Sequence, residues 1–144
     1  MARQTIRLFD AVLLSIAFLA HCTTTVGLEN MCVVEGTVTD ASGQRLDSVT
    51  VTVTDLEAVP SSHPSFSAVG HTYFSDTAGR YTAGVGASST WEESVSGDKE
   101  YTKFIRSLEL GFAKSGFLDT VITVPIRDPE EQHEILDVVL IASP

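Results

Sequence analysis

Apolar and polar residues alternate with a period of two along much of the chain after residue 32. The clearest segments are Val34–Val38, Val49–Thr54 and Leu108–Ala113, in which every second residue is apolar or glycine. A period of two places successive side chains on opposite faces of a β-strand, whereas an amphipathic helix repeats every 3.6 residues or so. Each segment is therefore predicted to be a strand with one buried face.

Four further short segments bring the predicted strands to seven. They are Tyr73–Ser75, Tyr81–Val85, Phe117–Val124 and Ile135–Ile141. The intervening clusters contain Asp, Ser, Gly and Pro, which are typical of turns, and no segment between the strands has helical periodicity. The pattern predicts an all-β domain whose strands bury alternate side chains between two layers.

The first 27 residues are a different kind of sequence. Two arginines precede Ala11–Ala20, a segment of apolar residues interrupted by one serine, and small or polar residues follow through Gly27. This order is typical of a secretory signal. The apolar segment is too short to span a membrane, which takes about 18 continuous apolar residues. Residues 1–27 are predicted to be an export leader with a short linker, and residues 28–144 a single domain.

The residues before Cys22 bear on how the leader is processed. The tetrapeptide LAHC, which ends at Cys22, resembles the bacterial lipoprotein signal, in which the cysteine receives lipid and becomes the new N-terminus. His21 departs from that signal, which has a small residue at this position. Small residues around Ala20 and Gly27 also allow ordinary signal cleavage, so both routes stay open. The protein is predicted to be exported: periplasmic, secreted, or anchored to the cell envelope through Cys22.

Charge and cysteine content exclude several classes of function. The chain has 19 acidic and 9 basic residues, for a formal net charge of −10, which repels nucleic acids and anionic membrane surfaces. No Cys or His spacing is typical of a zinc site, so neither a metal nor a cofactor is predicted. Cys32 is predicted to be a small buried hydrophobe at the start of the first strand. A disulfide between Cys22 and Cys32 is the alternative.

Two Asp-x-x-Gly segments, Asp40 to Gly43 and Asp76 to Gly79, are candidates either for chemistry or for turns. An aspartate at the first position can accept hydrogen bonds from the following backbone amides, and a glycine at the fourth can adopt the positive φ that closes the turn. A calcium loop would show a run of alternating carboxylates. All four residues are therefore predicted to be structural, and no catalytic residue is predicted.

Two longer segments, 56–70 and 86–101, are predicted to be connections between strands because they are rich in Ser, Gly and Pro. Functional residues of β-domains often lie in such loops. Trp91, the only tryptophan, lies in the second segment. Tryptophan is frequent at binding hot spots, so Trp91 is a candidate partner contact, with folding back onto the end of the sandwich as the alternative.

The order of these pieces resembles the carboxypeptidase regulatory-like domain, a transthyretin-type β-sandwich. The matching segments are VEGTVTDASGQRLDSVTVTV (34–53), SDTAGRY (75–81), the step at Gly116 and Phe117, and VVL (138–140). The resemblance covers residues 33–141. It implies a seven-stranded Greek-key sandwich that carries no zinc ligands and serves in bacterial surface proteins as a spacer or docking module.

The resemblance, together with the lack of clustered catalytic side chains, predicts a non-enzymatic exported module that binds a protein or carbohydrate of the cell envelope. A transthyretin-type ligand-binding protein or small hydrolase is the alternative, and would need an oligomeric channel lined by His71, His133 or Arg106. The hydroxyisourate hydrolases of that group end in YRGS and use histidines of the first strand. This chain ends in IASP and has no histidine in its first predicted strand.

Overall fold

The computed structural model describes residues 24–59 and 69–144. These residues form eight β-strands: β1 (Thr24–Asp40), β2 (Thr50–Val59), β3 (Thr72–Phe74), β4 (Arg80–Glu93), β5 (Lys99–Ala113), β6 (Thr120–Pro125), β7 (His133–Ile135) and β8 (Val138–Leu140). The predicted all-β class is confirmed. Most of the predicted leader, with Cys22, lies outside the described residues. Within those two ranges, no helix is long and apolar enough to cross a membrane.

The strands follow one hydrogen-bonded path in the order β3-β2-β5-β4-β1-β7, with β6 beside β5 and β8 beside β1. Paired strands are antiparallel, except that β7 and β8 run parallel to β1. β4 and β5 pair with each other only near their shared turn, at residues 90–93 and 99–103. The path curls there, so that β1, β4, β7 and β8 form one half and β2, β3, β5 and β6 form the other.

The two halves enclose one hydrophobic core built from the alternating positions that the sequence pattern marks. Its fully buried members include Val34, Val38, Val51, Val53, Leu108 and Leu110. The rings of Tyr81 and Phe112 meet edge to face across the two halves, with centroids 5.3 Å apart. Burying one such apolar side chain contributes about 1.5–3 kcal/mol. Cys32 is a free, fully buried cysteine within the same core.

The last predicted strand divides in two, which gives eight strands in the described ranges instead of seven. β7 and β8 both pair with β1, but the ladder is interrupted between them at Asp137, after the Leu136 amide donates to the Glu35 carbonyl at 2.8 Å. The Thr37 amide donates to Asp137 Oδ1 at 2.9 Å rather than to a backbone carbonyl. The Leu136 carbonyl lies over Gly36. Hydrophobic periodicity does not reveal this interruption, because the apolar pattern continues on both sides of it.

The prediction that residues 86–101 form a loop was wrong. These residues form the outer end of the hairpin made by β4 and β5. β4 continues through Trp91 to Glu93, and the turn is closed by the Ser94 amide donating to the Asp98 carbonyl at 3.0 Å. The segment has no apolar alternation, so the sequence pattern does not mark it as a strand. Its backbone groups are nevertheless satisfied by pairing with the first part of β1. Residues 56–59 of the first predicted connection likewise belong to β2.

Candidate functional site

A cleft of about 720 Å³ opens where β1, β3, β4 and β7 meet. Its floor is the outward face of the β1–β4 ladder. Val34 and Val38 point into the core, so alternation directs Glu35 and Thr37 of β1 outward. The lining includes Glu35, Thr37, Phe74, Arg80, Ile135 and Asp137. The cleft therefore combines carboxylates, one guanidinium and apolar side chains on the surface of a paired ladder.

Two strongly exposed apolar side chains border this cleft. Phe74 is 66% exposed and Ile135 is 73% exposed. Their neighbourhood is fixed by strand contacts: the Tyr73 hydroxyl donates a hydrogen bond to the Gly84 carbonyl, which ties β3 to β4. β7 is held by its parallel pairing with β1. Phe74 and Ile135 thus present apolar surface to the cleft from β3 and β7.

Asp137 is held in the cleft by two hydrogen bonds from one residue. Its Oδ1 accepts hydrogen bonds from the Thr37 hydroxyl at 2.6 Å and from the Thr37 amide at 2.9 Å. The hydrogen bond from the Thr37 hydroxyl is the main cause that lowers the pKa of Asp137 below its ordinary value. The hydrogen bond from the Thr37 amide is the second cause, and the charge of Arg45 adds to the effect. Asp137 is therefore ionised at neutral pH, and its position follows from the interruption between β7 and β8.

Glu35, which lines the cleft, contacts His133, which lies outside the lining. The distance from Glu35 Oε1 to His133 Nε2 is 3.2 Å, and each side chain is 45% exposed. The pair arises because the parallel register of β1 and β7 places residues 33–35 beside residues 133–135. The contact ties Glu35 of β1 to β7 beside the cleft.

The turn from Asp76 to Gly79 lies at the edge of the cleft. Asp76 Oδ1 accepts the amides of Ala78 and Arg80 at 2.8 and 2.9 Å, and Gly79 has a φ of 70°. The Arg80 amide is the main cause that lowers the pKa of Asp76. Arg80 Nε also contacts Asp76 Oδ2 at 3.1 Å. The Asp76 carboxylate thus accepts backbone hydrogen bonds, as the sequence predicts, and also pairs with the arginine in the cleft.

The turn from Asp40 to Gly43 has the same geometry outside the cleft lining. Asp40 Oδ1 accepts the amides of Ser42 and Gln44 at 2.8 and 2.9 Å, and Gly43 has a φ of 84°. The Ser42 hydroxyl is the first cause that lowers the pKa of Asp40, followed by the Gln44 amide. In both turns the aspartate stabilises the backbone that leads into the next segment.

Trp91 lies in the β4–β5 hairpin, away from the cleft lining, and is 6% exposed. Its ring packs beside that of Tyr101, with centroids 5.7 Å apart, and Lys99 Nζ lies 4.8 Å from its ring centroid. Lys99 also contacts Glu130 at 2.8 Å. Trp91 offers little exposed area to a partner in this position, so the proposed partner contact stays a prediction.

The alternation along the chain does not predict the cleft, although two residues carry a signal for it. Gly36 and Asp137 each interrupt a predicted strand, and both residue types are depleted inside strands. Glycine within a strand marks a position where another backbone group approaches closely, and the Leu136 carbonyl does so here. Glu35 and Phe74 carry no such signal, because both are compatible with the strand pattern.

The described residues do not supply an evident metal centre. Within residues 24–59 and 69–144, no group of three or more His, Cys, Asp or Glu side chains could hold a metal ion. His133 has Glu35 as its carboxylate neighbour, and Cys32 lies in the core.

Comparisons with known proteins give a fold likeness. The sequence matches no protein-family model and no curated protein. The structure is similar to catechol 1,2-dioxygenase of Acinetobacter radioresistens, with a TM-score of 0.54 and 13% identity over 81% of this chain and 53% of that chain. For 3-chlorocatechol 1,2-dioxygenase of Rhodococcus opacus, the TM-score is 0.49, with 13% identity over 81% and 62% of the two chains. For hydroxyquinol 1,2-dioxygenase of Pseudomonas putida, it is 0.48, with 12% identity over 78% and 57%.

This finding contradicts the predicted non-enzymatic module. The prediction took an all-β pattern without clustered catalytic residues as a sign that no enzyme is present, whereas the catechol 1,2-dioxygenase that shares this fold is an enzyme. Catalytic side chains brought together by folding do not have to cluster along the sequence. The prediction was therefore wrong to exclude catalysis. The chain spans about half the length of that dioxygenase, and what the two share is the fold.

Proposed function

We propose that this domain belongs to an enzyme that acts on small dihydroxyaromatic compounds of the catechol class, and that the cleft between β1, β3, β4 and β7 binds them. The observation that carries the proposal is the fold likeness to a catechol 1,2-dioxygenase over 81% of this chain. Because one fold can host many reactions, the cleft must also suit such a ligand.

The size and apolar borders of the cleft suit an aromatic ring. Its volume of about 720 Å³ lies in the range of small-molecule sites, which hold roughly 300–1,000 Å³. Phe74 can stack on a bound ring, which typically contributes about 0.5–1.5 kcal/mol beyond area burial. Ile135 adds apolar surface on the β7 side.

The carboxylates of the cleft suit the two hydroxyl groups of a catechol. Phenolic hydroxyls donate hydrogen bonds, and hydrogen bonds to ionised acceptors are about twice as strong as neutral ones. Asp137 is ionised and fixed by Thr37. Glu35 also lines the cleft, so its carboxylate can accept a proton that leaves a hydroxyl.

The described residues do not account for dioxygen chemistry. Reactions of dioxygen with organic molecules generally use a metal ion or an organic cofactor, and the described ranges contain no cluster of three His, Cys, Asp or Glu side chains that fits a metal. We therefore derive no oxygen-transfer step. The described side chains of the cleft support binding of the compound and transfer of a proton from its hydroxyl groups.

Titration calorimetry of the full chain with catechol and hydroxyquinol tests the proposal. We expect saturable binding by both compounds. Phe74→Ala should weaken it several-fold through loss of the ring contact. Val95→Ala is the matched control, because Val95 is 75% exposed and lies outside the cleft lining. Absence of binding to millimolar concentrations, or equal effects of the two variants, would overturn the proposed site. Oxygen uptake in the presence of added divalent metals then tests whether the bound compound turns over.

We also propose export of the protein and a finer classification of its fold. The charged, apolar and small-residue order of residues 1–27 supports an export leader, with lipid attachment at Cys22 as one form of it. The ordered motifs of residues 33–141 support a Greek-key sandwich of the transthyretin-like, carboxypeptidase regulatory-like kind. The intact mass of the protein from its native host tests the leader and the lipid together. An N-terminus at Met1 would overturn both.

A further inference from the structure

We infer that the cleft selects dihydroxyaromatic ligands that carry a positive charge, such as an aminoethyl-substituted catechol, over those that carry a carboxylate. This inference rests on the proposed function, since it specifies the substrate class of the same cleft. It follows from the charges that line the cleft and from how those charges pair with one another.

The lining contains three carboxylates and one guanidinium. The carboxylates are Glu35, Asp76 and Asp137, and the guanidinium is that of Arg80. Arg80 and Asp76 contact each other at 3.1 Å, so their charges largely offset. His133, at 3.2 Å, can offset the charge of Glu35 when it is protonated.

Asp137 differs because its contacts come from Thr37, an uncharged residue. Those contacts keep Asp137 ionised without cancelling its charge. The positive charge of Arg45 acts on Asp137 and reduces the local negative potential in part, but Arg45 lies outside the lining. The cleft as a whole therefore keeps an excess of negative charge, centred on Asp137 and, when His133 is neutral, on Glu35.

A charged substituent on the ligand interacts directly with this excess of negative charge. When Phe74 and Ile135 hold the ring and its hydroxyls contact the carboxylates, a charged substituent elsewhere on the ring still interacts with the negative charge of the lining. In a water-filled cleft, one unit charge at about 6 Å changes binding by roughly threefold. A cation and an anion on the same ring therefore differ by about tenfold. The net charge of −10 has the same sign and adds to the preference at low salt.

Calorimetry with three matched ligands tests the inference on the full chain. The ligands are catechol, an aminoethyl-substituted catechol and a carboxylated catechol. At low salt we expect the aminoethyl compound to bind about tenfold more tightly than the carboxylated one, with catechol between them. The difference should shrink toward twofold near 1 M salt, where the Debye length falls to about 3 Å.

Two substitutions locate the effect. Asp137→Asn keeps an oxygen for Thr37 and removes the charge, so the ratio of the two affinities should fall about tenfold, toward equal binding. Asp119→Asn changes the net charge equally at an exposed residue outside the lining and should leave the ratio unchanged. Glu35→Gln provides a second cleft variant if Asp137→Asn does not fold. Equal binding of the two charged ligands, or equal effects of Asp137→Asn and Asp119→Asn, overturns the inference while catechol binding still supports the proposed function. Failure of all three ligands to bind overturns both.

Discussion

The carbonyl oxygen of Leu136 lies so close to Gly36 that a β-carbon added to that glycine would stand 1.9 Å from the oxygen. The same carbonyl accepts a hydrogen bond from the Tyr81 hydroxyl at 2.8 Å. The next residue, Asp137, accepts a hydrogen bond from the Thr37 hydroxyl in the cleft. The absence of a side chain at Gly36 thus allows the chain between β7 and β8 to pack on β1 and to place Asp137.

Gly36→Ala should therefore destabilise the fold by about 3 kcal/mol, the upper end of overpacking costs, because the added carbon meets backbone that cannot rotate away. Gly86→Ala is the matched control in β4, since a β-carbon there has no neighbour within 4 Å. That change should stay within about 0.5 kcal/mol. Urea unfolding followed by circular dichroism measures both. Equal stabilities of the two variants would contradict the close approach of Leu136.

The two turn glycines should differ in their tolerance of alanine. Both have positive φ, 84° at Gly43 and 70° at Gly79, and this conformation costs an L-residue roughly 1–2 kcal/mol. A β-carbon at Gly79 would also lie 2.7 Å from the Val38 carbonyl, whereas one at Gly43 has open space. Gly43→Ala should cost about 1 kcal/mol and Gly79→Ala about 3 kcal/mol. Thermal unfolding compares them, and a larger loss at Gly43 would contradict this arrangement.

The lowered pKa of Asp137 makes the folded protein less stable in acid. Hydrogen bonds from the Thr37 hydroxyl and amide lower that pKa below its ordinary value of 3.8. The unfolded state therefore binds the proton more tightly. The stabilisation that these hydrogen bonds give the folded state is fully present above about pH 4. It is lost as the pH falls through the pKa that Asp137 has in the folded state. Asp40 and Asp76 have lowered pKa values too and add to the same loss of stability.

Asp137→Asn should reduce the loss of unfolding free energy at low pH, because the variant lacks the carboxylate that titrates. Urea unfolding between about pH 5 and pH 2 measures the slope of the unfolding free energy with pH. Asp119→Asn serves as the control, and its slope should match that of the unsubstituted protein. An unchanged slope in Asp137→Asn would show that the Thr37 contacts do not stabilise the carboxylate.

Cys32 should resist alkylation in the folded protein. Burial in the core, with the charge of Glu134 as a second cause, raises the pKa of its thiol to about 12. The reactive thiolate is therefore scarce near pH 8, and reagents lack access to it. Peptide mass mapping after iodoacetamide treatment should find Cys32 unmodified in native protein and modified in concentrated guanidinium chloride. Rapid native labelling would place Cys32 outside the core.

Hydrophobic periodicity predicted the core of the fold because burial of alternate side chains is a local pattern. Val51 and Leu110 follow that pattern and are fully buried. The outer part of the β4–β5 hairpin was missed, because β4 is held there by backbone pairing with β1 and β5 by pairing with β4, which leaves no apolar alternation in the sequence. The division between β7 and β8 was missed for a related reason, since one aspartate side chain replaces a backbone acceptor there.

The sequence by itself determined the all-β class, the main buried positions and the Asp-x-x-Gly turns, because each depends on residues near one another in the chain. Only the tertiary structure decided the cleft. Glu35 and Asp137 are separated by about a hundred residues and meet because β7 and β8 lie along β1. The fold likeness that overturned the non-enzymatic prediction also depends on strand order. Strand order is set by non-local pairing, which periodicity along the chain does not encode.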